Sequence, residues 1–192
     1  MKTFHCQYCG HPVFFENVTC LQCESALAFL PDRLNVAAIE PVPDGAGDLW
    51  RPRARGRKAS PARYRLCRNH AQNCNFAVPA NDPNAFCVAC RLSRTIPDLS
   101  QPDNVQHWYK LEVAKRRLFY TLAKLGLVAT CPPDGQADGP IFDFLADLPG
   151  QPVMTGHSQG LITINVAEAD DAGRVGRGME VHEPYRTLLG DF

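Results

Sequence analysis

The chain of 192 residues contains no run of about 18 apolar residues, which excludes a membrane-spanning helix from the sequence reading. Its N-terminus, MKTFHCQYCG, lacks an apolar segment ahead of a small-residue cleavage site, so no secretory signal is read and the expected compartment is the cytoplasm. Net charge is absent as well, because 20 Lys and Arg balance 20 Asp and Glu. That zero hides an asymmetry: residues 1–130 carry 17 basic and 10 acidic side chains and residues 131–192 carry 3 and 10, so the chain is +7 in front and −7 behind. Two halves that attract one another account for this better than a nucleic-acid contact does.

What the chain has in abundance is cysteine, nine in all. In a reducing compartment these are not a disulfide framework, so their spacing has to explain them. Cys6 and Cys9 form one C-x2-C pair and Cys20 and Cys23 another, ten residues on. Two tight turns facing each other offer four thiolates in a tetrahedron, the arrangement Zn2+ prefers. Val13, Phe14 and Phe15, followed by Glu16 and Asn17, read as the short strand and turn of a zinc-ribbon hairpin. His5 and His11 flank the first pair, but four cysteines already complete a site. With no position left for water, this ion is structural and not catalytic.

A second group follows in Cys67, Cys74, Cys87 and Cys90, again read as a closed four-cysteine Zn2+ site with His70 as the competing ligand. Cys131 is left over as a bystander thiol. Between the two groups, ALAFLPD, NVAAIEP and GDLWRP are short apolar stretches broken by Pro, Asp and Gly, which suggests the strands of a small β-rich unit. Residues 51–65, RPRARGRKASPARYR, hold seven basic side chains in fifteen. Arg51, Arg53, Arg55, Arg57 and Lys58 suit phosphate neutralisation, yet the run lacks interleaved aromatics and contains Gly and Pro, so a solvated loop is the preferred reading.

PDNVQHWYKLEVAKRRLFYTLAKLGL is the clearest helix. Asp103 or Asn104 is the expected cap, Val105, Trp108, Leu111, Leu118, Leu122 and Leu125 form the expected core stripe, and Gly126 the stop. Lys115, Arg116 and Arg117 are placed mostly on the wet face. Beyond it, LITINV is dense in β-branched residues and should be a strand. Glu168, Asp170 and Asp171 after that strand are read as a polar loop in preference to a metal site, and His157 as a turn residue. The last ten residues, EPYRTLLGDF, open a helix: Pro184 suits its first turn, and Tyr185, Leu188, Leu189 and Phe192 follow at helical spacing.

The order of these pieces, two Cys pairs in a ribbon, FCVACRL, AKRRLFYTLAKLGL, TGHSQGLITINVAEADD and EPYRTLLGDF, resembles the bacterial zinc-binding metallopeptidases that carry an N-terminal zinc-ribbon domain. The resemblance implies an α+β protein: a β-rich zinc-ribbon region over residues 1–98, with four-cysteine sites at 6–23 and 67–90, and over 99–192 a long amphipathic helix and part of a zincin-like unit. In that family the EPYRTLLG helix runs on into H-E-x-x-H, whose histidines hold a catalytic Zn2+ and whose Glu is the general base. None of the six histidines here, His5, His11, His70, His107, His157 and His182, forms such a pair. The ribbon cysteines carry over and no catalytic residue does. The expectation is two structural Zn2+ ions, a third only if the chain continues, no peptidase activity by the chain alone, and a truncated N-terminal portion of a longer gene product. The resemblance also gives LITIN the role of pairing with an extended peptide or protein substrate. A non-catalytic zinc-ribbon adaptor and a nucleic-acid binder acting through Arg51–Lys58 are the competing readings.

Overall fold

The computed structural model describes residues 3–43, 48–53, 55–56, 60–72, 74–131, 139–171 and 174–175. The expected helix from Pro184 to Phe192, His182, Arg57 and Lys58 lie outside the described residues. The fold is α+β, with one long helix and several small sheets among the described residues. It divides into two compact units, Met1–Val88 with Thr130–Gln136 and Ala89–Ala129 with Ala137–Phe192. No described helix is long and apolar enough to cross a membrane.

In the first unit, β1 (Phe4–His5) and β2 (Pro12–Val13) form a two-stranded antiparallel hairpin around the first cysteine pair. The strand stops at Val13: Phe14 is exposed, and Phe14 N–H donates to Asn17 Oδ1 at 2.7 Å to close the turn. Next comes an antiparallel meander, β3 (Ala26–Leu30), β4 (Asn35–Pro41), β5 (Trp50–Pro52), β6 (Tyr64–Leu66) and β7 (Ala77–Pro79), in chain order. Val36 to Ile39 are buried on both faces, which is why this strand reads as a continuous apolar run and not as an alternation. Phe29 on β3 bridges Phe76 beside β7, and Phe29 N–H donates to Asn75 O at 2.7 Å, so the first and last strands of the sheet meet. One face buries Ala28, Leu30, Ala37, Ile39, Tyr64 and Ala77. Phe4, Phe15, Phe29 and Phe76 form an aromatic chain with centroids 4.3–6.0 Å apart, which binds the hairpin to the meander.

The second unit holds β8 (Ser93–Thr95), α1 (Pro102–Lys124), β9 (Ile141–Leu145), β10 (Gly156–Ser158) and β11 (Leu161–Asn165). The sheet order is β10-β11-β9-β8, with β11, β9 and β8 parallel and β10 antiparallel at one edge. Gln159 and Gly160, both at positive φ (50° and 80°), make the two-residue turn from β10 to β11, a geometry that matches the twist of the strands it joins.

Helix α1 corrects the sequence reading at three points. Its cap residue is Gln101, with Pro102 at the first helical position, and not Asp103 or Asn104; the Asn104 side chain instead donates to Asp98 O. Val105 and Leu125 are exposed. Lys115 and Arg116 are buried along with Trp108, Leu111, Glu112, Ala114 and Phe119, while Arg117 is exposed. Helical spacing puts position 115 beside 108, 111, 112 and 119, so Lys115 lies inside the stripe, and a buried carboxylate at 112 neutralises it. The preferred pairing for LITIN is also corrected. β11 has β10 on one side and β9 on the other, so both its backbone edges are taken.

Candidate metal centres

The first centre is built by two knuckles with the same local geometry. Gly10 N–H donates to Cys6 O and Glu24 N–H to Cys20 O, each at 2.8 Å, and the residue after the second cysteine takes a left-handed φ in both, 84° at Gly10 and 55° at Glu24. Cys6 N–H donates to His11 O and Cys20 N–H to Ser25 O, so each chain returns to its knuckle after five residues. The two turns bring the sulfurs of Cys6, Cys9, Cys20 and Cys23 within 4.8 Å of one another. Cys67, Cys74, Cys87 and Cys90 form the second group within the same limit, and all four are buried. There Cys87 N–H donates to Cys67 Sγ at 3.3 Å.

The separations test whether the groups suit a metal. Four ligands at the usual Zn–S distance of about 2.3 Å, placed tetrahedrally, stand about 3.8 Å apart. Cys6 and Cys23 are 3.8 Å apart, Cys9 and Cys20 3.6 Å, and Cys74 and Cys87 3.7 Å. A disulfide would need about 2.05 Å. All-sulfur donor sets at tetrahedral spacing fit a soft or borderline ion such as Zn2+. Burial pushes the Cys6 thiol up to about 12, while the Ser25 hydroxyl, 3.2 Å from Cys23 Sγ, pulls Cys23 down to about 6. A metal ion binds the sulfurs as thiolates, so loading the site releases the protons that the cluster holds.

The other candidates end up elsewhere. His5 and His11 are exposed, and His70 points Nδ1 at Cys74 O, 3.2 Å away, outside the sulfur group. Cys131 is exposed. Arg51 donates to Glu40 at 2.8 Å, and Arg53 donates to Ser25 Oγ at 2.7 Å with its guanidinium 3.7 Å from the Tyr8 ring centroid. Two of the five cations that the competing nucleic-acid reading would use are therefore engaged within the unit. Glu168 is buried, Asp171 pairs with Arg174 at 2.7 Å, and the acidic trio forms no metal-binding group among the described residues. His157 lies on β10, not in a turn.

A two-stranded hairpin carrying one cysteine knuckle, a second knuckle closed by the Thr19–Ala26 bridge, and a further four-sulfur group downstream define a zinc-binding ribbon protein. Residues 3–101, more than half of the chain, match the family described as "zinc-ribbon domain", and the chain belongs to it. Residues 104–192 match the family described as "Putative zinc-binding metallo-peptidase". Among curated proteins the chain is similar to uncharacterized proteins of Mycobacterium tuberculosis strains H37Rv and CDC 1551 and of Mycobacterium bovis, each 34% identical over 193 residues. The alignments take in all of this chain and 51% of each relative, so the chain spans about half the length of the curated relatives it matches. No solved structure matches it.

Proposed function

We propose that the two sulfur groups hold two structural Zn2+ ions per chain, Cys6, Cys9, Cys20 and Cys23 one and Cys67, Cys74, Cys87 and Cys90 the other. The observation that supports this is the gathering of each set of four sulfurs within 4.8 Å, with 3.6–3.8 Å between Cys6 and Cys23, Cys9 and Cys20, and Cys74 and Cys87. In modules with this little core of their own, metal binding is on the order of 10–16 kcal/mol and is also folding free energy. The same residues argue against catalysis at these ions, since hydrolysis needs an open coordination position and a base beside the bound water. Residues 104–192 act, in this reading, as the sheet and helix of a metallopeptidase domain, and the 192 residues alone do not hydrolyse peptides.

We infer that an extended peptide would add at the β10 edge of the four-stranded sheet. β11 has no free edge, whereas β10 pairs only with β11 among the described residues, and Gly156, His157 and Ser158 are all exposed. Strand addition to a sheet needs an unpaired row of backbone N–H and C=O groups, and among the described residues no strand pairs with the outer side of β10. Metal analysis of the purified chain tests the zinc reading: two ions per chain are expected, and a folded chain with none sinks it. Chelator-sensitive cleavage of an unstructured protein such as casein by the 192-residue chain would sink the claim of inactivity.

A further inference from the structure

β10 is a three-residue strand with every residue exposed, too short and too wet to hold its place by packing. Something else has to fix it, and the topology says where. β9 and β10 lie on opposite sides of β11, and β11 runs parallel to β9 and antiparallel to β10. The connection from Leu145 to Gly156 must therefore cross the C-terminal end of β11. Asn165 is the last residue of that strand and is 2% exposed.

Every hydrogen-bonding group of its side chain is used on that crossing or just after it. Asn165 Nδ2 donates to Asp147 Oδ1 at 2.8 Å, where the connection leaves β9, and to Val153 O at 3.0 Å, where it approaches β10. Asp147 Oδ1 also accepts from Val153 N–H at 2.7 Å, so the two ends of the crossing are tied to each other and to Asn165. Asn165 N–H donates to Thr155 Oγ1 at 3.1 Å, on the residue directly before β10. Its Oδ1 accepts from Ala167 N–H at 3.0 Å and caps the 3-10 turn Val166–Ala169.

We propose that Asn165 is a positioning residue that clamps the 147–155 crossing over the end of β11 and thereby holds β10 out as an ordered, peptide-accepting edge. The acceptance of peptide rests on the reading above; the clamp rests on geometry alone. An amide is what this place requires. One oxygen must accept from Ala167 while two N–H groups reach a carboxylate and a carbonyl, and neither Asp nor Ala does both. A Leu at this position would leave the exposed Asp147 carboxylate and the half-buried Val153 carbonyl without the donor that ties the two ends of the crossing to β11.

Three variants of the zinc-loaded chain separate the roles, with amide hydrogen exchange as the readout. In Asn165→Ala the loss of two donors, one of them to a charged acceptor, speeds exchange at Val153 and along the β10–β11 ladder by about 10- to 100-fold, while α1 and the β8–β9 ladder keep their protection. Asn165→Asp keeps the cap on Ala167 but sets a carboxylate against Asp147, and it should loosen the same segment at pH 7 and tighten it as pH falls and one carboxyl gains a proton. The exchange variant Asn165→Asp with Asp147→Asn restores a donor–acceptor pair across the crossing and should recover most of the protection at pH 7. If Asn165→Ala loosens α1 and β9 as much as β10, or loosens nothing, or if the paired swap rescues nothing, the clamp is wrong. A β-strand-forming peptide is then titrated against wild type and Asn165→Ala. Weaker binding by the variant supports the clamp as a positioning device; equal binding overturns that part of it. Failure of the wild type to bind, beside an exchange pattern as expected, sinks the edge-strand reading and leaves the clamp standing.

Discussion

Lys115→Met in the second unit has a consequence large enough to measure directly. Lys115 is fully buried, and its Nζ donates to Glu112 Oε1 at 2.6 Å and to Ser93 Oγ, with the Phe142 and Phe144 rings 5.9 and 5.5 Å away. Ser93 Oγ in turn donates to Glu112 Oε1 at 2.7 Å, and Arg116 Nη1 stands 4.0 Å from Glu112 Oε2. Removing one member of a buried pair typically costs about 3–5 kcal/mol, because the other charge is left without its counter-ion. Lys115→Met falls at the lower end, about 3 kcal/mol, since Ser93 and Arg116 still face Glu112. Glu112→Leu should cost more, about 4–5 kcal/mol, because Lys115 then keeps only the Ser93 hydroxyl among these partners. The double variant Glu112→Leu/Lys115→Met removes the closer pair but also takes Glu112 away from buried Arg116, so it should cost less than the sum of the two single changes. Urea unfolding of the zinc-loaded chain in a Trp50→Phe background isolates the fluorescence of Trp108, which lies on the same helix face. A Lys115→Met cost below about 1 kcal/mol, or a double variant that costs the sum of the singles, would refute the buried-pair argument.

Cys6→Ser and Cys87→Ser should each remove one metal ion by elemental analysis and loosen different segments; loss of the same ion in both would refute two separate centres. Glu24→Gly relieves a left-handed backbone that costs a residue with a Cβ about 1–2 kcal/mol, against about 0.5–1 kcal/mol of added unfolded-state entropy, so the ribbon should gain up to about 1 kcal/mol in thermal unfolding. The side-chain hydrogen bonds from Arg94 hold the Asp143 carboxyl below the usual carboxylate range. A depressed folded value means that this pair's stabilisation is present above the unfolded carboxylate value of about 3.9 and is lost as pH falls through the folded value. Asp143→Asn should therefore flatten the acid limb of the melting-temperature profile, and an unchanged limb would count against the pair.

The sequence by itself determined the features whose chemistry is local. A C-x2-C pair is a turn with two sulfurs whatever surrounds it, so Cys6, Cys9, Cys20 and Cys23 were legible from spacing alone, and Cys67, Cys74, Cys87 and Cys90 nearly so. The runs ALAFL, NVAAI and LITIN were legible as strands because β-branched and apolar residues in short runs bounded by turn formers have few other uses. What only the tertiary structure decided is what each strand and helix face meets. Lys115 belongs to the wet face on composition and to the core in the fold, because Glu112 and Ser93 meet it there, and no periodicity in α1 shows that a carboxylate one turn away cancels its charge. LITIN reads the same whether it is an edge or an interior strand, since pairing uses backbone groups that carry no side-chain signature. Asn165 reads as an ordinary polar residue at a strand end. It becomes the residue that fastens the crossing only because β9 and β10 flank β11, a non-local order that the local pattern of side chains does not encode.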